Sequence, residues 1–129
     1  MPLSKQLSVM VENRRGALAE VYSKLAEKAV NILGLMVPDQ AGVAPVRLVV
    51  NSVDTAKKVF ESLSLKYTEE DVLVVQVSDR PGALGKLTRK LADHNLDVRY
   101  AYCSIQKGTG KAAVILAVSD VQEAAKVLK

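Results

Sequence analysis

The feature that most constrains this chain is an internal repeat. Residues 9–26 read VMVENRRGALAEVYSKLA and residues 75–92 read VQVSDRPGALGKLTRKLA, so the two segments align with a shift of 66 positions (9 to 75). Farther along, residues 50–53 align with residues 118–121, a shift of 68 (50 to 118). Self-similarity at a fixed spacing indicates two copies of one supersecondary unit. We therefore expect two modules, at residues 1–70 and 71–129.

The change from 66 to 68 indicates a short insertion in the second copy, near the segment Lys107–Lys111. The glycines in KGTGK favour a hairpin turn between two strands. A phosphate-binding loop is the alternative interpretation, but such a loop is followed by a helix, and no helical pattern follows here.

The order of elements is the same in both copies. In the first copy, apolar residues alternate over 7–11 as in a strand, and Leu18, Val21, Leu25 and Ala29 recur at helical spacing. We expect strands at 32–37 and 46–50, a loop from 38 to 45 between them, a helix capped by Ser52 that runs to about residue 63, and a short last strand at 65–68.

The second copy repeats this order, with Ser119 and Gln122 as a capping box for its second helix. It stops at Lys129 without a counterpart to the strand at 65–68. The predicted fold is α+β: two tandem ferredoxin-like βαββαβ modules, with antiparallel sheets, helices on one face and no clear final strand in the second module. The sheet edge beside residues 72–77 is therefore either open or covered by another segment.

Both faces of the predicted sheets are apolar, although one face of an antiparallel sheet is usually polar. The set expected to face the helices is Leu7, Val9, Val11, Ile32, Val46, Leu48 and Val50. The opposite face carries Met10, Leu33, Leu35, Val37 and Val49 in the first copy, and Val72, Val74, Ala101, Cys103, Ala113, Ile115 and Ala117 in the second. An apolar face of this size predicts a homodimer formed by sheet packing against a second chain.

Composition excludes several classes of function. The 129 residues carry a net charge of +4, with no tryptophan and one phenylalanine, so a basic groove for nucleic acid is not indicated. Cys103 is the only cysteine, which excludes a disulfide framework and a thiolate metal cluster. The N-terminus lacks a signal-peptide pattern and no apolar run is long enough to span a bilayer. We expect a cytoplasmic protein that binds no membrane, metal or cofactor.

Two loops, at residues 13–16 and 79–82, lead from a strand into a helix. Their glycines allow a ligand to approach the backbone, and the first-turn amides (Gly16, Ala17, Leu18; Gly82, Ala83, Leu84) lack intrahelical partners and suit a carboxylate. Asn13 and Asp79 suit an ammonium group, although either residue could instead be a simple helix N-cap.

The pattern N/D-R-x-G-A-L, followed by a helix ending in Leu-Ala and by Val30-Asn31-Ile32 or Leu96-Asp97-Val98, resembles the ACT domain family. These small modules regulate many enzymes of amino-acid biosynthesis. The resemblance covers essentially the whole chain, twice; Arg15 stands where the family usually has proline. It implies a ferredoxin-like fold, side-by-side pairing of modules, and an effector bound between them. Some members have a polar residue where this chain has Val11 and Val77.

The family resemblance implies that the Asn or Asp of the loop and the one after the first helix contact the effector. If the two copies pair with each other, one site combines Asn13 with Asp97 and the other combines Asp79 with Asn31. Each site then has a carboxylate for an ammonium and a helix N-terminus for a carboxylate, which suits an α-amino acid. If instead like pairs with like across a homodimer, the sites become Asn/Asn and Asp/Asp, and the latter would repel anions. The candidate ligand-binding residues are Asn13, Arg14, Gly16, Ala17, Leu18, Asn31, Asp79, Gly82, Ala83, Leu84 and Asp97.

Catalysis is not expected. His94 is the only histidine and lies near a helix end, and no serine–histidine–aspartate set, metal-ligand cluster or phosphate-binding loop can be assembled. The predicted function is that of a stand-alone regulatory or sensor protein that binds an amino acid and acts allosterically on an enzyme in trans. The alternative is a protein-interaction module without a small ligand; nucleic-acid binding ranks third.

Overall fold

The computed structural model describes residues 3–106 and 108–128. Residues 1, 2, 107 and 129, including the lysine in the predicted insertion, lie outside this part of the chain. The elements within it are β1 (Leu3–Glu12), α1 (Ala17–Glu27), β2 (Ile32–Met36), β3 (Val43–Val50), α2 (Val53–Ser62), β4 (Tyr67–Ser78), α3 (Ala83–Asp93), β5 (Val98–Gln106), β6 (Lys111–Val118) and α4 (Val121–Val127). The twice-repeated order confirms the predicted α+β, ferredoxin-like class.

The chain divides into two compact units, residues 5–70 and residues 71–128 with residues 3–4. We call them the first unit and the second unit. In the first unit, β3 lies between β2 and β1 and is antiparallel to both, with Leu48 opposite Leu7 on one side and Leu35 on the other. The backbone amide of Met10 donates to the carbonyl of Lys66, at 2.8 Å, just before β4 begins.

The core of the first unit lies between its sheet and its two helices. Leu7, Val9 and Val11 of β1 alternate inward, as the sequence predicts, and they pack with residues of β3, α1 and α2 around Phe60, which has no exposed surface. The predicted helix-facing set is confirmed, with Ile32 partly buried at the margin of the cluster. Gln6 and Ser8 are buried as well, at 0% and 7% exposed, so β1 is covered on both faces over residues 6–9.

In the second unit, β6 lies between β4 and β5, again antiparallel to both neighbours. Gln106 and Lys111 are opposite each other, so β5 and β6 form the predicted hairpin. Gly108 and Gly110 in the connection have φ values of 84° and 70°, a conformation that glycine adopts without strain. The buried core is formed by Leu73, Leu87, Leu91, Leu96, Val114, Leu116, Val118 and Ala124.

Strand β4 runs for 12 residues without a break, so the prediction of a separate short strand at 65–68 is wrong. The acidic residues Glu69, Glu70 and Asp71 are tolerated because none of them is buried. The beginning of β4 belongs to the first unit and its remainder to the second. Strand β1 is its neighbour, and residues 3–4 of β1 group with the second unit. The edge of β4 is therefore not open along its whole length.

Strand β3 begins at Val43, so the predicted loop through Pro45 is too long. Pro45 lies opposite Met10 of β1. The Met10 amide points away from β3, toward Lys66. Met10 and Pro45 are therefore a non-hydrogen-bonded pair, in which both residues direct their main-chain polar groups away from the partner strand. The nitrogen of Pro45 thus faces the side of β2, whose paired residues end at Met36 opposite Arg47. No ladder hydrogen bond is lost, which explains how proline is accommodated in a strand.

Helix α1 ends at Glu27, and Ala29, predicted to be helical, lies beyond the helix with a φ of 58°. The amide of Val30 donates to the carbonyl of Leu25, and that of Ala29 to Ala26, which is the Schellman arrangement. The same two bonds end α3, where Asn95 has a φ of 58°. A left-handed residue after the helix, invisible to hydrophobic periodicity, ends it earlier than its apolar spacing suggests.

The second helix of each unit is preceded by an N-cap residue at an equivalent position, Ser52 in the first unit and Asp120 in the second. The predicted capping box of Ser119 and Gln122 is wrong by one position, because the Oδ1 of Asp120 accepts from the amide of Glu123 at 3.1 Å. Ser52 is at the predicted cap position, but its hydroxyl donates to the Oγ1 of Thr55 and accepts no bond from the helix backbone.

The sheet face opposite the helices is less available than predicted, because Val49, Val72 and Ile115 are 6%, 0% and 2% exposed within the single chain. The prediction is also wrong for Leu35, Ala101 and Cys103, because directly opposite residues share a face and these three pair with the core residues Leu48, Leu116 and Val114. Exposed apolar side chains are concentrated on the outer strands and their ends: Leu33, Leu35 and Val37 at β2, and Ala101, Cys103 and Ile105 on β5. Separately, no helix in the described residues is both long and apolar enough to cross a membrane.

Candidate functional site

The two strand-to-helix loops have nearly the same backbone. Gly16 and Gly82 precede α1 and α3 with φ values of 87° and 92°, in the left-handed region where a side chain would introduce strain. The amide of Asn13 donates to the carbonyl of Gly42 at 2.6 Å, and the amide of Asp79 donates to Gly110 at 2.8 Å. Each loop is therefore fixed to the hairpin connection of its own unit, and its polar side chain is placed in an equivalent position.

Asn13 and Asp79 are not helix N-caps, because α1 and α3 follow glycines and neither has a side-chain capping bond. The Nδ2 of Asn13 donates to the carbonyl of Gln40 at 3.1 Å. That bond leaves the Oδ1 of Asn13 as an acceptor for an ammonium group. Both loop residues are exposed. Of the two interpretations of these residues, the one as simple caps is excluded.

The expectation that all first-turn amides are free is wrong for two of them. The amide of Ala17 donates to the carbonyl of Arg14 at 3.2 Å, and that of Ala83 to Arg80 at 3.3 Å, so each loop closes a short turn before its helix. Among the described residues, no backbone carbonyl accepts from the amides of the glycine and the leucine on either side of these alanines. Those four amides, of Gly16, Leu18, Gly82 and Leu84, are the remaining donors for an anionic group.

Asn31 and Asp97 lie at the opposite end of the helix from the loops of their own copies. Their amides donate to the side chains of Asn51 and Ser119, which immediately precede the second helix of each unit. Helix α1 has 11 residues and so spans about 16 Å. Asn31 therefore cannot share a small ligand with Asn13 of the same copy, and any site that combines a loop residue with a post-helix residue needs two modules.

The structure brings three candidate residues, Asn13, Arg14 and Leu18, to one cavity of about 50 Å³ beside Val37 and Pro38. A cavity of this size has room for ordered water but not for an amino acid. Val11, at the position where some family members have a polar residue, is 3% exposed and packs in the core of its unit. The first loop alone thus provides one wall of a site.

The charge around the loop arginine differs between the copies. Arg14 is held by Glu12, with Nε to Oε2 at 2.9 Å, and by Glu20 at 3.6 Å. The aligned residues in the second copy are Ser78 and Lys86, so Arg80 has neither carboxylate. Arg80 lies instead on a groove of about 680 Å³ that also has Gly82 and Ala83 on its walls.

This groove contains functional candidates that the sequence analysis missed. Its basic residues are Arg80, Lys86 and Lys90, and its apolar walls are formed by Val77, Pro81, Leu87 and Leu128. The available signal was the aligned pair Glu20 and Lys86, an acid exchanged for a base within an otherwise similar segment. Elsewhere in the described residues, no group of three or more histidine, cysteine, aspartate or glutamate side chains is placed to hold a metal ion.

Three groups in the first unit have raised pKa values. A hydrogen bond from Lys57 to Glu69 raises the pKa of the lysine, and a hydrogen bond from Tyr67 to Glu61 raises the pKa of that tyrosine. Burial raises the pKa of Tyr22. These groups lie on α1, α2 and the beginning of β4, away from the loop, so they contribute to the stability of the unit rather than to a binding site.

A family model described as an ACT domain pair matches residues 2–128. The chain belongs to the ACT domain pair family. A solved structure of a Bacteroides thetaiotaomicron protein is 28% identical to it, with a TM-score of 0.91, and the match covers 98% of this chain and 87% of that one. No match was found among curated proteins.

Two further structures are regulatory subunits of aspartate kinase. The ligand-free form from Thermus thermophilus is 13% identical, with a TM-score of 0.69 and coverage of 98% of this chain and 92% of that one. The subunit from Thermus flavus is also 13% identical, with a TM-score of 0.64 and coverage of 99% and 95%. At this identity the likeness shows a shared fold of two ACT modules.

Proposed function

We propose that this ACT domain pair is a cytoplasmic regulatory protein without catalytic activity, which binds an amino acid and acts on an enzyme in trans. The observation that carries the proposal is the duplicated loop, in which a left-handed glycine precedes a helix and an exposed Asn13 or Asp79 is held in an equivalent place. The family provides further support, and so does the fold shared with subunits that regulate aspartate kinase.

The proposed sites lie between paired modules and combine a loop residue of one copy with a post-helix residue of the other. Asn13 pairs with Asp97, and Asp79 pairs with Asn31. Each pair provides one carboxylate for the ligand's ammonium, while the first-turn amides receive its carboxylate. The cavity of about 50 Å³ at the first loop supports this version, because a second module is needed to enclose a ligand.

Thermal shift and calorimetry across the twenty amino acids test the ligand. A ligand at a hundred times its dissociation constant adds about 2.7 kcal/mol to the free energy of unfolding. We expect one amino acid to do so, and both Asp79→Ala and Asp97→Ala to weaken its binding. Asp93→Ala, on the exposed face of α3, is the matched control and should leave binding unchanged. If no amino acid shifts the transition at millimolar concentration, the interaction module without a ligand replaces this proposal.

We propose further that the working unit is a homodimer formed through the exposed apolar residues of β2, Leu33 and Leu35. Leu33 and Leu35 of β2 are 51% and 45% exposed, although Leu48 of β3, which lies opposite Leu35, is fully buried. Leu35→Glu places a charge at this surface and should give a monomer in sedimentation equilibrium. Ala26→Glu, on an exposed position of α1, should leave the assembly intact. A wild-type protein that is monomeric at micromolar concentration contradicts the dimer and leaves ligand binding to be judged separately.

A further inference from the structure

The groove of the second unit has a charge pattern that an amino acid does not satisfy. Arg80, Lys86 and Lys90 line it, and its described walls contain no aspartate or glutamate. A zwitterionic amino acid brings an ammonium group, which three cations repel and no carboxylate receives. The groove suits a ligand that carries negative charge alone.

The basic residues have no ion-pair partners among the described residues. The aspartate nearest to them on α3, Asp93, contacts Arg89 at 4.0 Å instead. In the first unit, by contrast, the residue equivalent to Lys90 is Lys24, which contacts Glu27 at 3.4 Å. The first copy therefore neutralises Arg14 and Lys24 with carboxylates, whereas the second copy has no such ion pairs at Arg80 and Lys90 among the described residues.

The position of these cations is unfavourable for the empty protein. Helix α1 has Glu20 in its first turn, which complements the positive end of the helix dipole. Helix α3 has no acidic residue in its first turn, and Arg80 and Lys86 lie near the same end. Cations near a helix N-terminus are unfavourable because that end of the helix dipole is positive. A bound anion would remove this repulsion.

The groove also has a size and a lining that suit an organic molecule. Its volume of about 680 Å³ is in the range of small-molecule sites, whereas the corresponding cavity of the first unit has about 210 Å³. Leu63 and Leu65 wall that smaller cavity. Val77, Leu87 and Leu128 provide apolar contact beside the cations.

We propose that this groove binds a phosphorylated small molecule that carries two or more negative charges and an apolar or aromatic body. Arg80 would hold a phosphate through its planar guanidinium, and the two lysines would act as point charges along α3. The groove shares Gly82 and Ala83 with the proposed amino-acid site at the second loop, but it differs from that site because it uses a single unit and requires no ammonium partner.

Calorimetry at low salt with ADP, pyrophosphate and citrate tests the proposal. ADP should bind with one-to-one stoichiometry and more tightly than pyrophosphate, because only ADP fills the apolar part of the groove. Its affinity should fall as salt screens the cations. In isotope-labelled protein, amide signals of Gly82 and Gly85 should move on titration, whereas that of Gly16 should not. Citrate binding as tight as ADP binding would overturn the phosphate and apolar-body assignment.

Charge variants provide the decisive control. Lys86→Glu restores the charge found in the first copy and should weaken ADP binding about tenfold or more, since a hydrogen bond to a charged group contributes about 1.5–3 kcal/mol. Lys86→Gln should have a smaller effect in the same direction. Arg14→Ala, in the compensated first loop, should leave ADP binding unchanged. The proposal fails if no probe binds at millimolar concentration, or if the variants in the two copies weaken binding equally.

Discussion

The two units are built from one repeated segment, yet they complete their cores differently. In the first, Phe60 is fully buried and the residues that follow α2, including Leu63, Leu65 and Tyr67, pack against the cluster. In the second, the aligned position is Leu128, which is only partly buried at the margin of its cluster. The repeat preserves the backbone design, whereas the end of the second helix decides whether the space beside it is filled or left as a groove.

The two units also differ in the charges around their loop arginines. Two carboxylates form ion pairs with Arg14 in the first loop, whereas Arg80 of the second loop forms none with the described residues. Exposed ion pairs contribute little to stability, so this difference is better understood as a difference in what each copy can bind. A smaller cavity with two carboxylates and one cation in the first unit corresponds to a larger, basic groove in the second.

The largest expected effect compares the two cores. Phe60→Ala removes a fully buried aromatic side chain and should lower the free energy of unfolding by about 3–5 kcal/mol. Leu128→Ala, at the aligned and partly exposed position, should cost about 1–2 kcal/mol. Urea unfolding followed by circular dichroism measures both. Equal costs would show that the second unit depends on its helix end as much as the first does.

A second comparison concerns the helix caps. Asp120→Ala removes an acceptor for the amide of Glu123 and should cost about 1 kcal/mol. Ser52→Ala, at the equivalent position, removes only the bond to Thr55 and should cost less than half of that. Thermal unfolding of the two variants, each measured beside wild type, gives the difference. A larger cost at Ser52 would contradict the assignment of the cap bonds.

The left-handed residues after α1 and α3 provide a third comparison. Alanine is strained at the φ of 58° that Ala29 adopts, while asparagine at position 95 tolerates this conformation better. Ala29→Gly should therefore stabilise the protein by about 0.5–1 kcal/mol, and Asn95→Gly should have a smaller effect. Chemical denaturation of both variants measures the change. Destabilisation by Ala29→Gly would mean that glycine's freedom in the unfolded chain outweighs the relief of strain.

The smallest effect is a pH dependence confined to the first unit. The folded-state pKa of Tyr67 is raised, first by its bond to Glu61, so its contribution to stability is fully present below the unfolded pKa of about 10 and is lost as pH rises through the higher folded value. Tyr67→Phe should flatten the alkaline fall in stability. Tyrosinate absorbance against pH should also lose a late-titrating component, and an unchanged titration curve would exclude the Glu61 bond.

Much of the fold could be predicted because the repeat shows the sequence pattern of each element twice. Alternation at Leu7, Val9 and Val11 identifies the core face, and the twin loops identify the strand-to-helix turns. The errors have local causes. The nitrogen of Pro45 faces the side of β3 where β2 provides no paired residue, and Ala29 adopts a left-handed conformation that hydrophobic periodicity does not reveal. The sequence pattern predicts a short strand at 65–68 apart from the segment 72–77, whereas β4 runs through the three acids between them because none of the three is buried.

The candidate site was only partly predictable. Asn13 and Asp79 could be found from the turn chemistry, but their hydrogen bonds to the hairpin connections depend on residues far along the chain, such as Gln40. The use of the Ala17 and Ala83 amides within the turns is also a matter of backbone geometry. The basic groove required a comparison of charge between aligned positions, Glu20 with Lys86, rather than a search for matching residues.

The start of β1 has a consequence for how the protein is made. Residues 3 and 4 are synthesised before residues 5–70, but the unit to which they belong is complete only after residues 71–128 have followed. Pairing between segments so distant in sequence is slow, because the intervening chain must be closed into a loop first. Until then residues 3 and 4 lack the unit to which they belong, so their exchange into the second unit of another growing chain competes with correct folding.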